Sequence, residues 1–252
     1  MEEKFLEVNG IKTFTRITGE GSPFLILHGW GGGISSWIYV QDELSKYFKV
    51  ITFDLPGFGK SDLPPSAWNM GDYIQFILDF IKKIGINDFY LLGHSFGASL
   101  AIKLSVQSPE KIRKLILVDS AGRRPKKSFA KKALASASSI FKIFSALPGY
   151  NTFRRFFYRF ILRNTDYAKA TGVMKEIFKK VIAEDLLYLW ERINLKTLII
   201  WGKKDEITPI KDAFLMKEKI SNSELKILNC DHNPHHQMPD ILVKTILDFV
   251  KK

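Results

Sequence analysis

The sequence predicts an α/β fold: a mostly parallel, doubly wound sheet of about eight strands carrying an inserted helical cap. Three observations predict it. Several apolar runs, among them P-F-L-I-L-H, K-V-I-T-F-D and K-T-L-I-I-W-G, are continuous rather than alternating, as in strands buried on both faces. Stretches of helical periodicity separate them, the order of a parallel sheet built from βαβ units. The alternation breaks between about 121 and 190, where no strand pattern occurs, and then resumes.

In chain order, K-F-L-E-V and I-K-T-F-T-R-I flank Asn9-Gly10, a strong hairpin signal, and supply an antiparallel edge. P-F-L-I-L-H is the first central strand, a helix is expected at about 36–47, and K-V-I-T-F-D follows as another strand. From Met70 to Ile84 the apolar residues Ile74, Ile77, Leu78 and Ile81 recur at helical spacing, and Gly85 is placed to stop the helix. D-F-Y-L-L-G is a strand, Phe96 to Gln107 a helix with Pro109 beyond its end, and K-L-I-L-V-D a strand. After the break come K-T-L-I-I-W-G, a helix at about 209–219, the strand E-L-K-I-L and a last helix at about 239–250.

The break at 121–190 reads as a helical insertion between two strands, dividing the chain into a core domain (1–120 and 191–252) and a cap (121–190). Phe153, Phe156, Phe157, Phe160 and Ile161 share one helix face, Arg155, Arg159 and Arg163 form a ladder on another, and Pro148-Gly149 marks a turn. The insertion also holds the charge. The net charge is +12, and residues 123–180 contain 15 Lys and Arg against two acids, Asp166 and Glu176. A near-neutral body thus carries one basic segment. Such a segment is either a solvated face or a surface for an anionic membrane or acidic substrates. Nucleic acid is not expected, because no recognition module accompanies the charge.

Composition excludes several classes. With 252 residues, 46% hydrophobic and 25% charged, the chain is an ordinary globular protein able to bury a sizeable core. Cys230 is the single cysteine, so no internal disulfide exists. The start, M-E-E-K-F-L-E-V-N-G, is acidic and lacks a long apolar run, so no signal peptide is expected in it, and no apolar run is long enough for a membrane span. A cytoplasmic location is expected.

The chemistry centres on Gly93-His94-Ser95-Phe96-Gly97, between a strand and a helix. A serine in a strained strand-to-helix turn exposes its hydroxyl, and side chains in place of the glycines would collide with the neighbouring strand and helix. The following helix turns its N-terminal amides toward developing negative charge. A serine needs a base. His232, in the loop after E-L-K-I-L, is the candidate, with His235 and His236 as rivals read as partly exposed loop residues. The acid that orients the base should also end a strand. Asp205, just past K-T-L-I-I-W-G, is the candidate and Asp119, ending K-L-I-L-V-D, the runner-up. Asp54 is expected to tie down the loop L-P-G-F-G-K-S-D. One oxyanion donor is the Phe96 amide, and a second should come from the loop His28-Gly29-Trp30-Gly31-Gly32-Gly33. That loop lacks G-K-[S/T] and dinucleotide spacing, so no cofactor is expected. No metal is expected either.

H-G-W, F-D-L-P-G-F-G-K-S-D, G-H-S-F-G, W-G-K-K-D and D-H-N-P-H-H-Q-M-P, in this order, resemble the α/β-hydrolase fold superfamily, in its esterase, lipase and C–C hydrolase group. The resemblance covers nearly the whole chain outside 121–190. It implies the triad Ser95, Asp205 and His232, an oxyanion amide at Trp30, and a helical cap over the site. It also marks two departures: Asp231 replaces the usual glycine before the histidine, and Gln237 a common acidic residue after it. The expected function is a serine carboxylesterase acting on a small ester or lactone through an acyl-enzyme. Lactonase, C–C hydrolase and cofactor-free perhydrolase activities use the same machinery. Aspartate at the elbow would mark a dehalogenase or epoxide hydrolase; serine speaks against both. The alternative of another class is a non-catalytic ligand-binding protein of this fold.

Overall fold

A computed structural model describes residues 1–123 and 172–252. The Pro148-Gly149 turn, the aromatic face from Phe153 to Ile161 and the arginine ladder lie outside the described residues. So does most of the expected insertion.

Eight strands form one sheet in the order β1-β2-β4-β3-β5-β6-β7-β8. β1 (Glu2–Val8) and β2 (Ile11–Thr18) are the expected hairpin, with Asn9 and Gly10 both at positive φ in the turn. β2 also runs antiparallel to β4 (Lys49–Phe53). From β4 onward the neighbours are parallel: β3 (Pro23–Leu27), β5 (Phe89–His94), β6 (Ile112–Val118), β7 (Thr197–Gly202) and β8 (Ser223–Leu228).

The alternation of side chains along each strand divides the core in two. Leu25 and Leu27 of β3 face a cluster with α2 (Met70–Ile84), α3 (Phe96–Gln107) and α6 (Ile210–Lys219), the last through Ala213 and Met216. Phe24 and Ile26 face α1 (Ile38–Leu44) and the C-terminal α8 (Pro239–Val250), through Val40, Leu44, Leu242, Ile246 and Phe249. Helices thus cover both faces, as the continuous apolar strands require.

α2 keeps its expected bounds for local reasons. Asn69 caps it, accepting from the amides of Gly71 and Asp72 while the Asp72 side chain accepts from Asn69 N–H. Gly85 ends it in the left-handed conformation. The helix expected at 36–47 is shorter: a 3-10 turn at Ile34–Ser36 precedes α1, which stops at Leu44. The described part of 121–190 is helical, with α4 (Gly172–Ala183) and a single turn α5 (Leu187–Trp190). No described helix is long and apolar enough to cross a membrane.

Parallel strands end at one edge of the sheet, so the residues that follow β3 to β8 gather there. These are the loop 28–33, Asp54, Ser95, Asp119, Asp205 and His232.

Candidate functional site

Ser95 sits at φ 51° and ψ −113°, between β5 and the first residue of α3. A non-glycine residue so placed stores on the order of 1–3 kcal/mol of strain, which the packing must hold. The packing is visible at the glycines. A Cβ on Gly93 would stand 2.4 Å from the Gly97 carbonyl oxygen, and one on Gly97 2.2 Å from that of Leu27 in β3. Gly29 is similarly confined: a Cβ there would lie 3.2 Å from the Ser95 Cβ. The loop after β3 thus passes directly over the elbow. Gly97→Ala is therefore expected to cost roughly 3 kcal/mol or more, since backbone rather than a rotatable side chain blocks the space. Chemical denaturation measures it; a midpoint equal to wild type would contradict this packing.

Three of the predicted residues form one hydrogen-bonded relay. The Ser95 hydroxyl lies 2.9 Å from Nε2 of His232, and Nδ1 of His232 lies 2.7 Å from Oδ2 of Asp205. The carboxylate accepts, so Nδ1 carries the proton and Nε2 is left to accept from Ser95. Asp205 is held by its own loop. Ile207 and Thr208 donate their amides to Oδ1 at 2.7 and 2.9 Å, and the Thr208 hydroxyl donates to Oδ2 at 2.5 Å. Burial pushes the Asp205 carboxyl upward, but the hydrogen bonds from His232 and Thr208 outweigh it and hold the group below the ordinary range.

The rivals stand elsewhere. His235 is 5% exposed, in a short helical turn α7 (Pro234–Gln237), with its ring stacked on Trp37 at 4.5 Å. It was expected to be a partly exposed loop residue; stacking on Trp37 buries it instead. His236 is exposed, as expected. Asp119 does not reach Nδ1 of His232 in place of Asp205; its Oδ1 accepts the Gly202 amide at 2.7 Å. Asp54 ties down its loop as expected: it accepts from the amides of Ile34 and Lys60 at 2.7 and 2.8 Å, and its carbonyl accepts from the Ser61 hydroxyl.

Two histidines that sequence reasoning left without a role are structural ties. Leu55 N–H donates to Nε2 of His28 at 2.9 Å, so Nδ1–H of His28 donates to the Gly29 carbonyl at 2.8 Å. His28 thereby joins the loops after β3 and β4. Nε2–H of His94 donates to the main-chain carbonyl of His232 at 2.8 Å, fastening the histidine loop to the elbow. Their identity beside H-G-W and Ser95 was the available signal; their partners lie too far along the chain to be read. The two departures from the family pattern also have an explanation. Gln237 Oε1 accepts the Asp231 amide at 3.1 Å, Gln237 Nε2 donates to Asp231 Oδ2 at 2.5 Å, and Asp231 Oδ1 accepts the Asn233 amide at 2.8 Å. The pair brackets His232.

Burial holds His28, His94 and His235 below the ordinary histidine range, His94 at about 3. Below pH 6.5 the unfolded chain binds protons that these rings refuse in the folded state, so stability falls with pH there. Asp119, pushed up to about 8 by burial, acts oppositely: its contribution is lost as pH rises from its unfolded value through 8. Three groups against one leave the histidines dominant below pH 6.5 and Asp119 above it. Melting temperature is therefore expected to peak near pH 6.5; a monotonic rise from pH 4 to 9 would contradict the assignment.

A cavity of about 480 Å³ reaches Ser95. Trp30, Ser95 and Phe96 line it with the apolar residues Met70, Phe178, Val181, Ile182 and Ile207 and the charged residues Arg123, Glu184, Lys211 and Asp212, of which Arg123 and Asp212 pair. The Trp30 ring meets Phe58, Phe96 and Phe178 edge-on, which fixes the peptide that follows Gly29 beside the elbow. Ring or carboxylate atoms of His94, Asp119 and His232 lie within 4.8 Å of one another. They do not make a metal site, because both nitrogens of His232 and Nε2 of His94 are already committed.

An eight-stranded sheet with a serine elbow and a strand-end histidine defines a class, and comparison with known proteins gives its family. The chain belongs to the alpha/beta hydrolase fold family, whose model matches residues 22–156. It is 25% identical over 258 residues to a 2-hydroxy-6-oxononadienedioate/2-hydroxy-6-oxononatrienedioate hydrolase of Pseudomonas putida, covering 92% of this chain and 89% of that one. Among solved structures, a bacterial membrane phospholipase A superposes with a TM-score of 0.79 at 22% identity, over 99% of this chain and 86% of that one. An enol-lactonase from Burkholderia xenovorans superposes with a TM-score of 0.76 at 20% identity, over 99% and 100%.

Proposed function

We propose that this hydrolase is a serine carboxylesterase with Ser95 as nucleophile, His232 as general base and acid, and Asp205 as the acid that orients it. The amides of Trp30 and Phe96 form the oxyanion hole. The observation that carries the reading is the unbroken Ser95–His232–Asp205 hydrogen-bond chain, whose serine lines the cavity.

His232 takes the Ser95 proton as Oγ bonds to the ester carbonyl carbon, and the carbonyl electrons move to oxygen, where the two amides donate. When the tetrahedral intermediate collapses, His232 passes its proton to the departing alkoxide and the alcohol leaves. A water then gives its proton to His232 and attacks the acyl group. The acid leaves, and the proton returns to Ser95. Asp205 stabilises the imidazolium in both halves. The mainly apolar wall suits an acyl or aromatic group.

A lactone needs the same steps, with the alcohol and acid retained in one product. A C–C hydrolase reading draws on the Pseudomonas putida relative and on the ion pair of Arg123 and Asp212 that lines the cavity. The core, 1–120 and 191–252, carries the machinery in this proposal, and 121–190 is a cap that selects what enters. The proposed location is cytoplasmic, and the basic part of the cap is proposed to contact anionic membrane. Equal failure to float with anionic and with neutral vesicles would remove that contact.

The test is a panel of p-nitrophenyl esters, lactones and a 2-hydroxy-6-oxo-dienoate, each run with Ser95→Ala beside the wild type. Ester turnover lost in the variant supports the esterase. Preference for the dienoate moves the assignment to C–C cleavage, and no turnover across the panel leaves a ligand-binding protein.

A further inference from the structure

Asp119 is an odd neighbour for the relay. It follows β6, between the strand that delivers Ser95 and the strand that delivers Asp205, and it is fully buried. Its φ of 43° turns it out of the strand direction. Oδ1 accepts from Gly202, but among the described residues Oδ2 has no hydrogen-bond donor.

The groups that face this carboxyl are His94 from the end of β5, Asp205 from the loop after β7, and Cys230, Asp231 and His232 from the loop after β8. None is a cation placed to pair with it. His94 is neutral and its Nε2–H is committed to the His232 carbonyl. Cys230 is a buried thiol pushed up to about 11. Nδ1–H of His232 is committed to Asp205 and Nε2 faces Ser95. Asp205 and Asp231 add negative charge.

An ionised carboxylate in this position would be dry, served by one donor and set against another acid, which is costly. Two such groups resolve the conflict by keeping one proton between them. Asp205 receives four donors, from Ile207, Thr208 twice and His232, and is the one stabilised as an anion. Asp119 receives one. The Thr208 hydroxyl lies 3.4 Å from the Asp119 carbonyl and 2.5 Å from Asp205 Oδ2, which sets the two acids side by side, and a protonated Asp119 has Asp205 as a hydrogen-bond partner. Protonation turns the orphan acceptor Oδ2 into a donor with a partner.

We infer that Asp119 is a positioning residue that keeps its proton at neutral pH, accepting from Gly202 through Oδ1 and donating from Oδ2 to Asp205, so that the two acids present a single negative charge to His232. Burial and the nearby Asp205 charge push its carboxyl up to about 8, in agreement with this arrangement. The donated bond fixes the Asp205 carboxylate and lowers its basicity, so that it orients the imidazolium without taking its proton. The catalytic consequence rests on the proposed roles of Ser95, His232 and Asp205; the protonation state does not.

The test reads both. In protein labelled with 13C at aspartate side-chain carboxyls, one resonance should titrate near pH 8 and be missing in Asp119→Asn. If every aspartate carboxyl completes its titration below about pH 6, the inference is overturned. Asparagine mimics the neutral acid, accepting from Gly202 and donating to Asp205, whereas leucine does neither. At pH 7, kcat/KM for a p-nitrophenyl ester should stay within about threefold of wild type in Asp119→Asn and fall about tenfold or more in Asp119→Leu. The wild-type profile should bend near pH 8 and the asparagine profile should not. A loss in Asp119→Asn as large as in Asp119→Leu, with the acid limb moved to lower pH, is the signature of a removed charge and would refute the neutral acid. Should the leucine variant not fold, the resonance and the asparagine profile still decide. Ester turnover that does not depend on Ser95 would overturn the proposed function and leave the carboxyl titration as it was.

Discussion

Ester turnover is expected to fall by roughly 10⁴- to 10⁶-fold in Ser95→Ala, with the fold intact. The hydroxyl makes one interaction, with Nε2 of His232, and the Cβ that packs against Gly29 is retained in alanine. The strain of the positive φ is the same for both residues, so stability should change by less than about 1 kcal/mol. His232→Ala should lose as much, because the serine is a poor nucleophile without its base. The double variant should be no slower than either single one, since two members of one unit do not contribute separately. Any residue of rate would reflect the proposed oxyanion amides of Trp30 and Phe96 acting on water attack. Purified variants assayed on a p-nitrophenyl butyrate series report this directly. Turnover within tenfold of wild type in Ser95→Ala would place the chemistry elsewhere.

The elements that position this serine were legible in the chain because local rules govern them. The glycines at 93 and 97 carry their reason on their face, and the structure supplies the colliding atoms: the Gly97 and Leu27 carbonyls. α2 and α3 have the bounds that Gly85 and the elbow dictate. Ser95, Asp205 and His232 could be placed at one edge because parallel strands send their ends there, although that rule alone leaves Asp119, His235 and His236 as rivals. The supporting interactions follow no such rule. His94 meets His232 across 138 residues, and Asp119 meets Gly202 across 83. Nothing in the sequence singles out Thr208, whose hydroxyl the turn after β7 brings to Asp205. His235 looked exposed because nothing in N-P-H-H-Q announces Trp37, nearly 200 residues earlier, as its stacking partner. Asp231 and Gln237 each break a family pattern alone; only their mutual bonds make them one substitution in two places.

Asp205→Asn is the second change with a large expected effect, about 10⁴-fold in kcat/KM. The amide oxygen can still accept from the Ile207 and Thr208 amides, which leaves its NH2 facing Nδ1 of His232. Nδ1 must then accept, the ring proton moves to Nε2, and the nitrogen beside Ser95 Oγ is no longer a base. Geometry is preserved and the tautomer is wrong, so KM should change far less than kcat. The same change removes the Asp205 charge, which adds to burial, the larger cause, in raising the Asp119 carboxyl. Asp119 then holds its proton less tightly, and a larger fraction of it is a carboxylate within reach of the imidazole edge. The residual rate of Asp205→Asn should therefore drop again, by about tenfold, when Asp119→Asn is added, although Asp119→Asn alone is nearly silent. That inversion, silent on an intact partner and costly on a neutral one, is what a shared proton demands. Equal residual rates in the single and double variants would separate the two acids and confine Asp119 to holding Gly202.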